Sequence, residues 1–531
     1  MTSHPARTVS LRSIARTFLS FAFLIAVLLS SANQTNAVGT LIPAPARHDM
    51  VYDTARDVLY ITSAGSILRY HITSNTFLPP FETGGNLGGI DISPDGNTLV
   101  VADRRRLETL VWVYVVNLKT EQITQVNFPR SFAEGGTFTV AYSNDGTVLS
   151  TSTFEGSGWV PLRRFNPLTG DFAQLTEVRQ DTMVTGSGNM AFIGFAESNI
   201  SDGRFGRYRA SDGNLLFKQF SDGTGWFNYE MGVNSNGTQY ALPTFGGCFI
   251  ADANLVKFRT VGSQGGSHPI GVVYHPVENT VYFAWADSTE VRAFDTTSFA
   301  QTAAYNFEYT FTPPGNHAFV HGRLKLSADG SLLFATVDGG VRYLRLYSPL
   351  VANSQSVTTD EDTAVPITLT GSVGNGGAIS LDVTSGPLNG TLSGVAPDLT
   401  YTPNPGYSGP DSFRFNAVYG RASVEATVSI TVNPAAPNQN PIAQNDSATT
   451  RRNTAVSIAV LANDSDPEGQ ALTVTAVTQA ANGTVTITNG GTQVSYVPRN
   501  GFTGNDSFTY TVSDGNGGLA TATVTVTVNK K

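Results

Sequence analysis

Cysteine is nearly missing: Cys248 is the only one in 531 residues, which excludes an intrachain disulfide framework and any cysteine-rich zinc site. Charge is scarce as well. Only 14% of residues are Asp, Glu, Lys or Arg, too few for coiled coils or long solvated helices. The net charge of −9, with no extended basic tract, argues against nucleic acid or an anionic membrane as main partner. No Gly-x-Ser-x-Gly elbow, Walker loop or His-Glu-x-x-His helix motif occurs. Apolar residues make up 40% of the chain and aromatics 10%, enough to build cores and argue against disorder.

Arg7, Arg12 and Arg16 precede the apolar run FLSFAFLIAVLLSSA, and small residues follow to Ala37. That order reads as a secretory signal peptide over residues 1–37, cleaved near Ala37; the run is short for a bilayer span. No second run of spanning length follows, so no transmembrane span is expected in the mature chain.

Composition changes near residue 350. All four tryptophans (Trp112, Trp159, Trp226, Trp285) and Cys248 lie before it, while Thr/Val alternations such as TVTVTVNKK lie after it. Both parts carry short strand patterns with frequent turn signals and no sustained helical period, so the fold class is all-β. In the first part a strand–turn–strand pattern recurs around Asp57, Gly96, Gly146, Gly188, Gly237, Asn279 and Gly330, at intervals of 39 to 51 residues. That is the period of a four-stranded propeller blade, and seven anchors predict seven blades. Tight hairpins need positive φ at the turn, which Gly, Asn and Asp tolerate, so Asp95, Asp145 and Asp329 read as turn residues. The last blade runs out of sequence, and a strand near Thr40-Leu41-Ile42 is expected to complete it and close the ring.

GGIDISPDGNTLVVAD and SHPIGVVYHPVENTVYFAWADSTEVRAFDTTS resemble the repeat of YVTN-type propellers, a group similar to lactonase-like and amine-dehydrogenase heavy-chain propellers. The resemblance spans roughly residues 40–349; it is specific for fold and weak for activity. In the second part YTPNPGYSGPDSFRF returns as YVPRNGFTGNDSFTY 95 residues later. The two copies, residues 351–433 (degenerate) and 441–529, resemble bacterial cadherin-like (Ig-like) tandem repeats, with a Pro/Asn-rich linker at 434–440. The resemblance implies cell-surface or secreted placement, spacer or adhesive roles, and calcium. The expected architecture is therefore a seven-bladed β-propeller over residues 38–349 followed by two β-sandwiches.

Polar residues at the starts of the innermost strands are the candidate ligand site, because those positions ring one mouth of a propeller channel. They are His48, Asn86, Glu134, Asn228, His268, His317 and His321. Histidines with one carboxylate suit a transition metal or a general base, whereas strand starts are also polar simply because they face water. His71 and His275 read as structural. The tryptophans read as packing between blades, with sugar stacking as the other reading.

In the second sandwich Asp464, Asp466 and Glu468 lie within five residues, and Asp446, Asp506 and Asp514 occupy other inter-strand segments. Hard Ca²⁺ takes six to eight oxygens, so these six are the candidate calcium ligands; turn capping is the competing explanation. The first copy keeps only Asp411 at the matching place and is expected to bind no calcium within the domain. No organic cofactor is indicated.

The functional expectation is an exported binding or adhesion protein, its propeller head recognising an extracellular protein or carbohydrate and carried on Ig-like spacers. Extracellular, cell-surface and periplasmic placement all fit. One alternative is a metal-assisted, lactonase-like hydrolase in the channel, needing His268, His317 and Glu134 to converge. A second is a structural surface-layer component.

Overall fold

The structure, a computed structural model, describes residues 39–197, 203–219, 230–244, 246–262, 268–311 and 323–530. The expected signal peptide, Trp226, Asn228, His317 and His321 lie outside the described residues.

Seven four-stranded antiparallel sheets follow one another along the first part. Each blade orders its strands as they occur in sequence, as in Arg47–Asp53, Val58–Ser63, Ser66–His71 and Thr76–Glu82 of blade 1. Blade 2 is Leu87–Ile92, Thr98–Asp103, Leu110–Asn117 and Ile123–Pro129; blade 3 is Glu134–Tyr142, Val148–Phe154, Trp159–Phe165 and Phe172–Arg179. Blades 4, 5 and 6 begin with Met183–Gly186, Gly232–Val233 and Pro269–Tyr274. Blade 7 takes three strands from Leu324–Leu326, Leu332–Val337 and Gly340–Arg345, and its fourth from Thr40–Pro43. Thr40 pairs with Tyr343 and Ile42 with Val341, so the ring is closed by the start of the described chain, as the sequence pattern predicts.

The turns obey the chemistry read from sequence. Asp95, Asp145 and Asp329 each accept a hydrogen bond from the serine two residues before, at 2.6, 2.6 and 2.5 Å. The glycine that follows each sits at φ 67°, 78° and 75°, where a side chain is strained. Alternating residues on each blade bury one face against each neighbour. Tyr60 and Ile67 of blade 1 share a core with Val101 and Trp112 of blade 2. Ile42 and Phe334 of blade 7 pack with Met50 and Leu59 of blade 1, so apolar burial seals the same junction that Thr40–Pro43 closes by hydrogen bonding.

Each C-terminal copy is a four-stranded sheet facing a three-stranded one, the seven strands expected of an Ig-size sandwich. In the second copy Asp446–Arg451, Leu519–Asn529, Gly504–Ser513 and Thr473–Val477 form the larger sheet. Val456–Ile458, Gln493–Pro498 and Gly483–Thr488 form the smaller. Tyr496, Phe508, Tyr510 and Val524 lie between them. The chain divides into two compact units. The first comprises residues up to 357 with 364–402 and 411–430, hence the propeller and most of the first sandwich; the second comprises 358–363, 403–410 and 431 onward.

Candidate functional site

Inside the ring, the side chains that converge lie one or two positions beyond those the sequence pattern singled out. Asp49 follows His48, Glu230 lies two residues past Asn228, and Arg323 two past His321. The Arg323 guanidinium donates to Asp49 at 2.5 and 3.1 Å and to Glu230 at 3.1 Å, joining blades 7, 1 and 5. The carboxylates also accept backbone N–H groups from the next blades, Ile90 on Asp49 at 3.3 Å and Val272 on Glu230 at 2.8 Å. All three side chains are buried. Burial pushes the Asp49 carboxyl up, but the Arg323 and Lys325 charges, with hydrogen bonds from the Arg323 side chain and the Met50 N–H, together outweigh it and hold the group below the usual carboxylate range. At Glu230 burial prevails and the carboxyl is raised. Pairing on this scale offsets a desolvation cost of several kcal/mol per ion, so the network acts as a plug rather than a vacant site.

The mouth residues divide among different tasks. His48 and Asn86 are brought together by Arg104, whose Nη2 donates to His48 Nε2 at 2.8 Å and to Asn86 Oδ1 at 2.9 Å. Burial first, then the Arg104 charge, lowers the His48 imidazole to about 4, so it is neutral near pH 7 and accepts at Nε2. Glu134 is fully buried and engaged elsewhere. Arg163 grips it at 2.5 and 2.8 Å, Ser152 donates at 2.5 Å and the Ser131 N–H at 2.9 Å. Burial would raise this carboxyl, yet Arg163 holds it below its usual value. His268 is buried just before Pro269, its backbone carbonyl accepting from the Ala286 N–H at 2.8 Å. Among the described residues no group of three or more His, Cys, Asp or Glu gathers as a metal site.

His275 is structural: its Nδ1 accepts from the Val277 and Glu278 N–H groups, leaving Nε2–H for the Tyr347 hydroxyl at 2.9 Å. Trp112 and Trp285 are buried, whereas Trp159 is 45% exposed with the guanidinium carbons of Arg204 and Arg179 at 4.6 and 5.0 Å from its ring. Cys248 is buried, and burial raises its thiol pKa.

At the other end of the channel the first sandwich packs on the propeller. Its hairpin Tyr419-Gly420-Arg421-Ala422 reaches a cavity of ≈ 100 Å³ lined by Asp91, Lys325, Thr185, Ser187 and Arg421. Arg421 is an exposed side chain that lines the cavity; desolvation of its guanidinium lowers its pKa and Asp91 opposes the shift. Gly420 has φ 62°, and a Cβ there would lie 2.6 Å from Val277 Cγ2. Asn375 ties the contact together, donating to Glu278 and, at 2.7 Å, to the Tyr419 hydroxyl. A spacer role alone did not anticipate this seat. The signal was a difference between copies, Tyr-Gly-Arg-Ala against Ser-Asp-Gly-Asn-Gly-Gly.

The six acids of the second sandwich lie in separate settings. Asp506 accepts from the Tyr496 hydroxyl and the Asn482 N–H, both at 2.9 Å. Asp514 and Glu468 hold the linker, accepting from Asn438 at 2.7 Å and Gln439 at 2.8 Å. Asp466 caps its own loop through the Glu468 and Gln470 N–H groups, both at 3.0 Å. Only Asp446 and Asp464 face each other, on either side of the Tyr510 hydroxyl.

Comparison with known proteins places the C-terminal part. Residues 347–431 and 438–527 match the bacterial Ig domain family. No curated protein matches the chain. Among solved structures it is similar to the β-propeller domain of Cps50 (Swd1) from Myceliophteria thermophila, at 10% identity and TM-score 0.42, covering 58% of this chain and 100% of that one. It is also similar to hydrazine synthase of Kuenenia stuttgartiensis, at 11% identity and TM-score 0.42, covering 59% and 97%. The bacterial Ig domains and the propeller fit a surface or adhesion-type protein. No helix among the described residues is long and apolar enough to cross a membrane.

Proposed function

We propose that this chain is an exported recognition protein whose propeller binds an extracellular protein or carbohydrate at the mouth bearing His48, Asn86 and Arg104. The observation that carries the reading is the state of the channel. Arg323 plugs its middle and the Tyr419–Ala422 hairpin occupies its far end, so recognition falls to the His48 side. The hydrolase reading is less favoured, because Glu134 would have to leave Arg163 to serve as ligand or base. The test is saturable binding of the labelled full chain to intact producing cells and to a panel of surface glycans and proteins. Loss of that binding in Asn86→Trp, with the fold retained, supports the reading; equal binding by wild type and variant overturns it.

Calcium belongs to the same proposal, narrowed to Asp446 and Asp464. The Tyr510 hydroxyl has one proton to offer two carboxylates, and Asp446 Oδ2 is buried without a hydrogen-bond partner. Burial, with Asp464 adding to it, raises the Asp446 pKa, and a bound cation would relieve both effects. Thermal unfolding of the full chain with and without excess Ca²⁺ tests this. A rise in midpoint that Asp446→Asn abolishes supports the site, and an unchanged midpoint removes it.

A further inference from the structure

The ≈ 100 Å³ chamber that the first sandwich reaches is lined by two cations without partners. Lys325 comes from the innermost strand of blade 7, Leu324–Leu326, and Arg421 from the tip of the Tyr419–Ala422 hairpin. Neither side chain makes a hydrogen bond, and among the described residues no carboxylate lies within ion-pair distance of either.

The geometry points to this chamber as a binding site for a small oxyanion, a carboxylate, phosphate or sulfate ion, held between Lys325 of the propeller and Arg421 of the first sandwich. The site is separate from the His48 mouth and goes beyond the recognition reading above.

Four observations support the assignment. The first is the count of charge. Asp91 is the one acid among the described lining residues, so the chamber has two cations to one carboxylate. Both Asp91 oxygens already accept backbone N–H groups, Oδ1 from Ile92 at 2.9 Å and Oδ2 from Tyr142 at 2.8 Å. Lys325 and Arg421 reach it only through their fields, and burial prevails in raising the carboxyl. Further in, Asp49 and Glu230 outnumber Arg323 by one, but each is held by Arg323 and a backbone N–H. Burial also raises Glu230 towards its neutral form.

The second is the balance of hydrogen-bonding groups. An ammonium and a guanidinium donate and cannot accept. The hydroxyl of Thr185, another lining residue, is buried without a partner. An oxyanion supplies the acceptors that these donors lack. Third, the space fits. At about 10–15 Å³ per water, the chamber takes several waters or one ion the size of phosphate or acetate. Fourth, the chamber has a way in. Arg421 also lines a groove of ≈ 300 Å³ with Asp53, Ser93, Asp95 and Ser423, so an ion following the groove meets Arg421 before Lys325. The acids of the groove are committed, Asp53 to Arg56 at 2.7 Å and Asp95 to Ser93 and Asn97 at 2.6 and 2.9 Å. Desolvation lowers the Arg421 pKa, and a bound anion opposes that shift.

The test is calorimetric titration of the full chain with inorganic phosphate, sulfate, acetate and chloride at constant ionic strength. At least one of the three oxyanions is expected to bind saturably, and more tightly than chloride. The order among the three separates a carboxylate ligand from a phosphate or sulfate. Lys325→Gln and Arg421→Gln should each weaken binding by about tenfold or more. Arg421→Lys, which keeps the charge, should weaken it less. Lys325→Gln leaves the hairpin unaltered and so separates lost binding from a loosened seat. Because the ion joins propeller to sandwich, it should also slow proteolytic cleavage in 347–353 of the wild type and leave the rate in Lys325→Gln unchanged. No saturable binding overturns the assignment, and so does unchanged affinity in either Gln variant, which would put the ion outside the chamber.

Discussion

Tyr496 donates its hydroxyl to Asp506 at 2.9 Å, and Tyr401 does the same to Asp411 at 2.9 Å in the other sandwich. The partner carboxylate in turn accepts loop N–H groups, from Asn482 in one copy and from Leu388 and Asn389 in the other. The Tyr-x-Pro…Asp-Ser-Phe signature shared by the copies is thereby explained: it joins a core tyrosine of the smaller sheet to a strand of the larger one. Asp506→Ala strands a buried hydroxyl and a backbone donor, so it should destabilise the second sandwich by about 1–3 kcal/mol. Denaturant unfolding of the full chain measures this. A double-mutant cycle with Tyr496→Phe should give a favourable coupling.

Glu134 and Arg163 make a fully desolvated pair, at 0% and 2% exposure. Removing one partner leaves the other charge buried, so Glu134→Gln should cost about 3–5 kcal/mol. The pH dependence has a definite sign. The folded pKa is below the ordinary value of 4.5, so the stabilisation is present above that value and lost as pH falls through the folded pKa. Unfolding midpoints of the wild type should therefore drop on acidification below about 4.5, and those of Glu134→Gln should drop less.

The seat of the first sandwich rests on Gly420 and Arg421. Gly420→Val introduces a Cβ at a left-handed φ and against Val277, and should loosen the contact. Arg421→Glu places a second carboxylate beside Asp91 and should act in the same direction. Limited proteolysis of the full chain should show faster cleavage in 347–353 for both variants and an unchanged rate for Arg414→Gln, whose partner Glu425 is on the same sandwich.

Much of this architecture was legible. The 39- to 51-residue spacing marked the blades, the hairpin glycines marked their turns, and the unfinished seventh blade pointed back to Thr40-Leu41-Ile42. The interior was harder to read. His48 and Asp49 are consecutive, and only the register and twist of the inner strand decide which of them reaches the channel plug. Pattern alone left Glu134 as a ligand, because its partner Arg163 lies two strands away in the same blade and no local spacing announces the pair.

The central claim is that an exported chain presents the Asn86–Arg104 mouth outside the cytoplasm. Cys248 is fully buried with a raised pKa, so the wild type should resist thiol reagents. Asn86→Cys adds one exposed thiol at the mouth. The direct measurement is labelling of this variant, in producing cells whose cytoplasmic membrane is intact, with a maleimide that cannot cross it. The account predicts labelling of Asn86→Cys and none of the wild type. Labelling of Asn86→Cys only after the cytoplasmic membrane is broken would contradict it.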